Sequence, residues 1–261
     1  ESCDITQPMA EEPWAVILAG GRSKRMGGGV PKPLRQVRGR ALVAWVAESL
    51  EKAGILISHQ VVVVSPGFDR NASGLEGRGC RWAVQPEPRG TGDAARWGLE
   101  AASRAGSSPV VVALADVPFT SARTYLRLLQ AGTPVRIAFV SADVAEPGAL
   151  GRVVRNDAGG VKDVVEFKEL ARGQEKIREI NAGHFCGPKD LLLALIADVR
   201  PGAKGGEIYL TSIVALARNR GIPVEAVLAS RPEEALGANT PEELEALALA
   251  AGGDRLEGGK E

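Results

Sequence analysis

The chain has 261 residues, 44% hydrophobic and 25% charged, and its 32 Lys plus Arg are matched by 32 Asp plus Glu. That length supports one large α/β domain with a sizeable core, and the zero net charge supplies no global field for nucleic acid or an anionic membrane. No apolar run reaches the roughly 18 residues of a transmembrane span, and the opening ESCDITQPMAEEP lacks the apolar stretch of a signal peptide.

In chain order, the first element expected is a strand in the apolar run Trp14–Ala19, followed by a helix over Ala41–Gly54. Strands over His59–Ser65 and Ser108–Asp116 flank a helix over Gly92–Gly106, and another helix spans Ser121–Gly132. The three strand segments are too short for buried helices and too uniformly apolar for a sheet with one wet face. They read as parallel strands covered on both sides. Strand and helix alternate three times, which predicts a Rossmann-like, doubly wound, mostly parallel α/β sheet.

The second half is more mixed. Strands are expected in RIAFVSADV and REINAGHFCG, and a β-hairpin is expected in GRVVRNDAGGVKDVVEF, turning at Asp157–Gly160. Helices follow in PKDLLLALIADV, IYLTSIVALARNRG and TPEELEALALAAG, the last capped by Thr240, Pro241 and Glu243. The termini, 1–13 and 251–261, are expected to be disordered, which leaves one domain over 14–250 with the hairpin as a small lobe.

Three cysteines (Cys3, Cys80, Cys186) stand far apart with no Cys/His metal spacing, which argues against zinc and a disulfide framework. A reducing cytoplasm is the expected location. His184 reads as a satisfied structural histidine and Cys186 as a small buried apolar residue.

The segment that carries chemistry follows the first strand: AVILAGGRSKRMGGGVPKPL, Ala15–Leu34. Neither the dinucleotide pattern G-x-G-x-x-G nor the Walker pattern fits it. Glycines at a strand end still let backbone N–H groups approach an anion, with Arg22, Lys24 and Arg25 close by and Lys32 between two prolines. Asp116 closes the run VVVALAD, at the carboxyl end of a central strand, where open α/β sheets place their ligands.

Leu18, Gly21, Arg25, Met26, Pro31, Lys32 and Leu34 together resemble the signature of the sugar-1-phosphate nucleotidyltransferase superfamily. Further segments resemble its uridylyltransferase branch in order: QPEPRGTGDA, LADVP, GALGRVVR, VVEFKE, EINAG, GEIYLTSIVALA and ANT. The resemblance runs from Trp14 to Ala250. It implies a nucleotide-diphospho-sugar transferase fold and Mg2+-assisted in-line attack of a sugar-1-phosphate on the α-phosphate of UTP, with pyrophosphate leaving. N-acetylglucosamine-1-phosphate is the implied acceptor, and the partners implied are these small molecules alone, with no nucleic acid and no membrane.

By the same resemblance, Arg25 and Lys32 are the catalytic cations. Leu18, Ala19, Gly20, Gly21, Gln85, Gly90 and Thr91 bind nucleotide, and Gly151, Glu166, Asn181 and Tyr209 bind sugar. Asp116 and Asn239 hold the metal. Leu114, Ala182 and Ser212 depart from the family pattern on the sugar side. Another sugar phosphate or cofactor phosphate is therefore an alternative acceptor, and a non-catalytic nucleotide-sugar-binding regulator is the alternative of another class. No hexapeptide repeats occur, so no acetyltransferase activity is expected of these residues.

Overall fold

The computed structural model describes residues 12–20, 30–102, 108–202 and 206–237, with 245, 246 and 249. Gly21, Arg25, Asn239, the capping residues Thr240, Pro241 and Glu243, and the segments 1–11 and 251–261 lie outside the described residues.

The first half contains β1 (Trp14–Leu18), the short pair β2 (Gln36–Val37) and β3 (Arg40–Ala41), and α1 (Leu42–Lys52). After these come β4 (Gln60–Val64), β5 (Arg81–Val84), α2 (Thr91–Ala101), β6 (Pro109–Leu114) and α3 (Ala122–Ala131). The second half contains β7 (Ile137–Asp143), β8 (Arg152–Arg155), β9 (Val161–Val165), β10 (Glu179–Pro188), α4 (Lys189–Ala197), α5 (Ile213–Asn219) and β11 (Val224–Leu228).

Among the described residues, β11-β7-β10-β6-β1-β4-β5 form one sheet in that order, and the β8–β9 hairpin hangs from β10. β1, β4, β5 and β6 are parallel, β10 is antiparallel to both β6 and β7, and β7 is parallel to β11. The expected doubly wound, mostly parallel sheet and the hairpin lobe are therefore present.

The uniform hydrophobicity of β1 follows from its place inside the sheet, between β6 and β4. Ala15 and Ile17 face one core, with α1 residues Val43, Val46 and Leu50 and α3 residues Tyr125 and Leu128. Trp14, Val16 and Leu18 face the other, with Leu99 of α2, Leu192 and Leu195 of α4 and Ile213 of α5. Burying each such Val, Leu or Ile contributes about 1.5–3 kcal/mol. Gly98 of α2 lies directly over this layer. A Cβ there would stand 2.7 Å from Val63 Cγ2 and collide with Val16 Cγ1. The missing side chain thus sets how closely α2 approaches the sheet.

Four strands went unforeseen: the two-residue strands β2 and β3, and the sheet-end strands β5 and β11. β5 and β11 are the two ends of the sheet order, and both carry exposed or half-buried positions, with Val84 40% and Leu228 53% exposed. Without burial on both faces there is no continuous apolar run to find. The helix expected over IYLTSIVALARNRG begins later, at Ile213, after a 3-10 turn over Leu210–Ser212. The strand expected from His59 begins at Gln60, because His59 ends a 3-10 turn, where its ring stacks on Trp14 at 4.6 Å. No helix among the described residues is long and apolar enough to cross a membrane.

Candidate active site

The carboxyl ends of β1, β4, β5 and β6 share one edge of the sheet because the strands are parallel. β1 runs into this edge with Leu18, Ala19 and Gly20 buried. The Ala19 N–H donates to the Val63 carbonyl at 2.7 Å, and the Leu18 carbonyl accepts from Ala115 N–H at 3.1 Å. Both bonds prolong the sheet ladder by a residue and fix where the loop departs. A Cβ on Gly20 would lie 3.4 Å from the Ser65 amide and 3.5 Å from Gln85 Oε1, so β1, β4 and Gln85 converge there.

Gln85, 5% exposed, continues β5: its N–H donates to the Val64 carbonyl at 2.9 Å. Its Nε2 donates to Asp93 Oδ2 at 2.8 Å and to the Gly90 carbonyl at 3.3 Å, and Asp93 is itself paired with Arg96 at 2.9 Å. The amide is thereby oriented from behind, with Oε1 toward Gly20. Gly90 has φ 112°, and a Cβ there would stand 2.5 Å from the Ile208 carbonyl oxygen, so only glycine fits.

At the opening turn of α2, the Gly92 N–H is already taken by a neighbouring segment. Gly92 N–H donates to the Ile208 carbonyl at 2.8 Å, and Ile208 N–H donates to the Arg89 carbonyl at 2.8 Å. Thr91 Oγ1 accepts from Leu210 N–H at 3.0 Å. Thr91 thus stitches segment 89–92 to segment 208–210.

Lys32 begins a 3-10 turn over Lys32–Leu34 between Pro31 and Pro33, which stiffen its backbone. Its Nζ reaches Asp116 Oδ2 at 2.8 Å, with side chains 17% and 38% exposed. The cation and the carboxylate picked out in the sequence thus meet directly, although 84 positions separate them. Gly237 lies close to the Asp116 backbone: a Cβ there would stand 2.9 Å from the Asp116 carbonyl oxygen.

Gly151, Glu166, Asn181 and Tyr209 assemble around the hairpin lobe. Asn181 N–H donates to the Gly151 carbonyl at 3.0 Å, and a Cβ on Gly151 would be 3.8 Å from Glu166 Oε2. Between Asn181 and Phe185 the β10–β7 register shifts, a bulge containing Gly183 at φ 80°. Such a bulge re-aims side chains. Here Asn181 Oδ1 accepts from Gly183 N–H at 3.1 Å, and the Leu114 side chain fills the space of a Gly183 Cβ.

Glu166 follows β9 directly and accepts from Thr211 Oγ1 at 2.8 Å. Burial, reinforced by the charges of Glu169 and Glu207, holds its carboxyl above the usual range. The Tyr209 phenol is pushed up to about 12 by desolvation, by its bond to Glu207 and by the Glu166 and Glu169 charges.

Two contributors were not foreseen. Thr211 holds Glu166, and Arg152, 2% exposed, donates to the Leu150 carbonyl and to the Gly148 carbonyl at 2.8 Å, fixing the loop that leads to Gly151. An arginine beside two valines at the start of β8 is the one sign of this in the sequence. His184 is fully buried with both ring nitrogens hydrogen-bonded, and burial lowers its pKa to about 4. Cys186 is buried and Cys80 half-buried, both as free thiols.

Residues 15–185 match the model of a family described as the MobA-like NTP transferase domain. Over 230 residues the chain is 34% identical to the bifunctional protein GlmU of Dechloromonas aromatica (strain RCB), with 88% of this chain and 50% of the relative covered. It is 36% identical over 231 residues to the bifunctional protein GlmU of Bordetella petrii, covering 86% and 49%. The chain spans about half the length of these relatives. A crystal structure of UDP-glucose pyrophosphorylase complexed with UDP-glucose has the same fold, with a TM-score of 0.69 at 17% identity, covering 92% of this chain and 98% of that one.

Proposed function

Since the chain belongs to the MobA-like NTP transferase family, we propose that it is a sugar-1-phosphate uridylyltransferase joining N-acetylglucosamine-1-phosphate to UTP. The observation that carries this reading is the Lys32–Asp116 pair at the carboxyl edge of the sheet, where a cation and an accessible carboxylate chosen from sequence come together. The extended identity to bifunctional GlmU proteins supports the choice of nucleotide and sugar.

The reaction is a displacement at phosphorus. An oxygen of the sugar phosphate forms a bond to the α-phosphorus while the α–β bridging P–O bond breaks, and pyrophosphate leaves with the electron pair. Positioning and charge neutralisation carry such a step. Lys32 turns from Asp116 to the α-phosphate, and Arg25, outside the described residues, steadies the leaving phosphates. The β1 end at Leu18, Ala19, Gly20 and Gly21 receives the nucleotide, with Gln85 and Gly90 at the base and Thr91 holding their loop. Glu166, Asn181, Gly151 and Tyr209 receive the sugar.

The donor set fits Mg2+. Asp116 presents an oxygen at a strand end, and no group of three or more potential His, Cys, Asp or Glu ligands occurs among the described residues. One or two protein oxygens beside substrate phosphates and water is how this ion is held. Asp116 and Asn239 would hold it, and when bound it supplies charge neutralisation across the phosphates.

A second reading keeps the transfer and changes the acceptor. It is favoured by Leu114, which packs into the Gly183 bulge beside Asn181. The test is Mg2+-dependent pyrophosphate release from UTP with N-acetylglucosamine-1-phosphate and glucose-1-phosphate as separate acceptors. The proposal expects release with the acetamido sugar, abolished in Asp116→Ala. Silence with both sugars in folded protein overturns the substrate assignment.

A further inference from the structure

Behind Asp116 runs a buried polar chain that the proposed transfer does not use. It starts at the last residue of β6, where the Leu114 N–H donates to His184 Nδ1 at 3.3 Å. Nδ1 is therefore the acceptor nitrogen, and the proton of the neutral ring sits on Nε2. That N–H donates to Thr120 Oγ1 at 2.9 Å, and the Thr120 hydroxyl proton goes to the Glu234 carbonyl at 2.7 Å. The Glu234 carboxylate turns back onto the same loop. Its Oε2 accepts from Ser121 N–H at 3.1 Å, Ser121 Oγ at 2.8 Å and Thr124 Oγ1 at 2.6 Å. Thr120, His184 and Glu234 are 1%, 0% and 2% exposed.

The chain has one consistent polarity, and it grips the Asp116 loop from both sides. His184 holds the residue two before Asp116, while Glu234 holds the residues four and five after it. Glu234 lies in a 3-10 turn over Pro232–Ala235 that leads to Gly237, where an added Cβ would stand 2.9 Å from the Asp116 carbonyl oxygen. A deeply buried carboxylate is a costly way to join two loops. An apolar contact would join them without fixing direction, whereas this arrangement does fix it.

We infer that Thr120, His184 and Glu234 are positioning residues, a clasp that holds the Asp116 carboxylate and the 234–237 turn in the arrangement a divalent cation requires. The inference rests on the proposed role of Asp116 as a ligand to that cation. The clasp touches neither substrate nor cation and acts through the loop between Leu114 and Ser121.

The test uses Mn2+ as a paramagnetic probe, titrated into the full chain with and without UTP and followed by the signal of the free ion, alongside thermal melting. Thr120→Val keeps the side-chain shape and removes both hydrogen bonds. It is expected to raise the Mn2+ concentration for half-saturation about tenfold, the lower end of what outer-shell partners of a metal ligand cost. Thr120→Ser restores the hydroxyl and is expected to return the value to within about twofold of the parent. A lowered melting temperature with unchanged Mn2+ half-saturation in Thr120→Val overturns the inference, as does a serine variant no better than the valine. If Thr120→Val does not fold, Glu234→Gln, which conserves volume and one acceptor oxygen, carries the same expectation and is overturned by the same null shift. Asp116→Asn separates the two levels. Full Mn2+ binding in that variant removes the role of Asp116 and the clasp with it. Loss of binding there, with none in Thr120→Val, removes the clasp alone.

Discussion

His184 makes the stability of this fold depend on pH in a defined direction. Its ring is fully buried, edge-on to Tyr125 at 5.4 Å, and burial lowers its pKa from 6.5 to about 4 although the Asp116 charge pulls the other way. The groups bonded to it, the Leu114 amide and the Thr120 hydroxyl, are neutral, and the next link is the neutral Glu234 backbone carbonyl, while the Glu234 carboxylate is bonded to Ser121 and Thr124. Above pH 6.5 the ring is neutral in both folded and unfolded chains. As pH falls from 6.5 toward 4, the unfolded chain takes up a proton that the folded chain refuses, so stability falls. At ~1.36 kcal/mol per pH unit, the whole displacement corresponds to about 3 kcal/mol, of which about 2 is lost by pH 5. Urea unfolding of the parent and of His184→Gln at pH 7.5 and pH 5.0 measures it. The variant starts less stable, having lost a buried hydrogen bond, but its stability should fall by about 2 kcal/mol less between the two pH values. His59, the other histidine of the chain, is present in both proteins and cancels in the comparison. Parallel pH profiles would show that the folded chain accommodates a charged His184, and would refute the argument.

Glu166→Gln should raise the melting temperature at pH 7.5, because burial lifts the Glu166 pKa above its unfolded value and its charge then opposes folding. The gain should shrink toward pH 4.5, while the KM for the sugar phosphate rises; a lower melting temperature at pH 7.5 refutes the sign. Gly98→Ala should destabilise by about 1–3 kcal/mol in urea unfolding despite the better helix propensity of alanine, because the new methyl meets Val16 and Val63. Lys32→Gln should lower single-turnover pyrophosphate release on the order of 100-fold or more, with the melting temperature little changed because its ion pair is partly exposed.

Legibility in the sequence followed burial. β1 and β6, and β4 beyond Gln60, are apolar throughout because both of their faces are covered, so their runs announce them. β5 and β11, at the ends of the sheet, alternate too weakly over four or five residues to stand out. Within the candidate site, the pair that meets in the fold was legible where a residue type is itself unusual in its place, as with Lys32 between prolines or Asp116 closing a valine run. The glycine bulge in β10 was not, since a register shift depends on the partner strand. Glu234 left no trace at all. It sits in the run RPEEA, where Glu233 beside it has the same chemistry, and the fold alone decides which of the two is buried. Thr120 and Thr211 are likewise ordinary residues whose importance comes from what they face.

The stitch between segments 89–92 and 208–210 has a thermodynamic consequence for how two ligands would share this surface. Three hydrogen bonds, Gly92 to Ile208, Ile208 to Arg89 and Leu210 to Thr91, join the loop beside Gln85 to the turn that carries Tyr209 and Thr211. A molecule that orders the first segment has already spent part of the entropy needed to order the second. Cooperativity of this kind needs no change of shape. It is also reciprocal: whatever factor a ligand at one segment adds to the affinity of a ligand at the other, the second returns to the first.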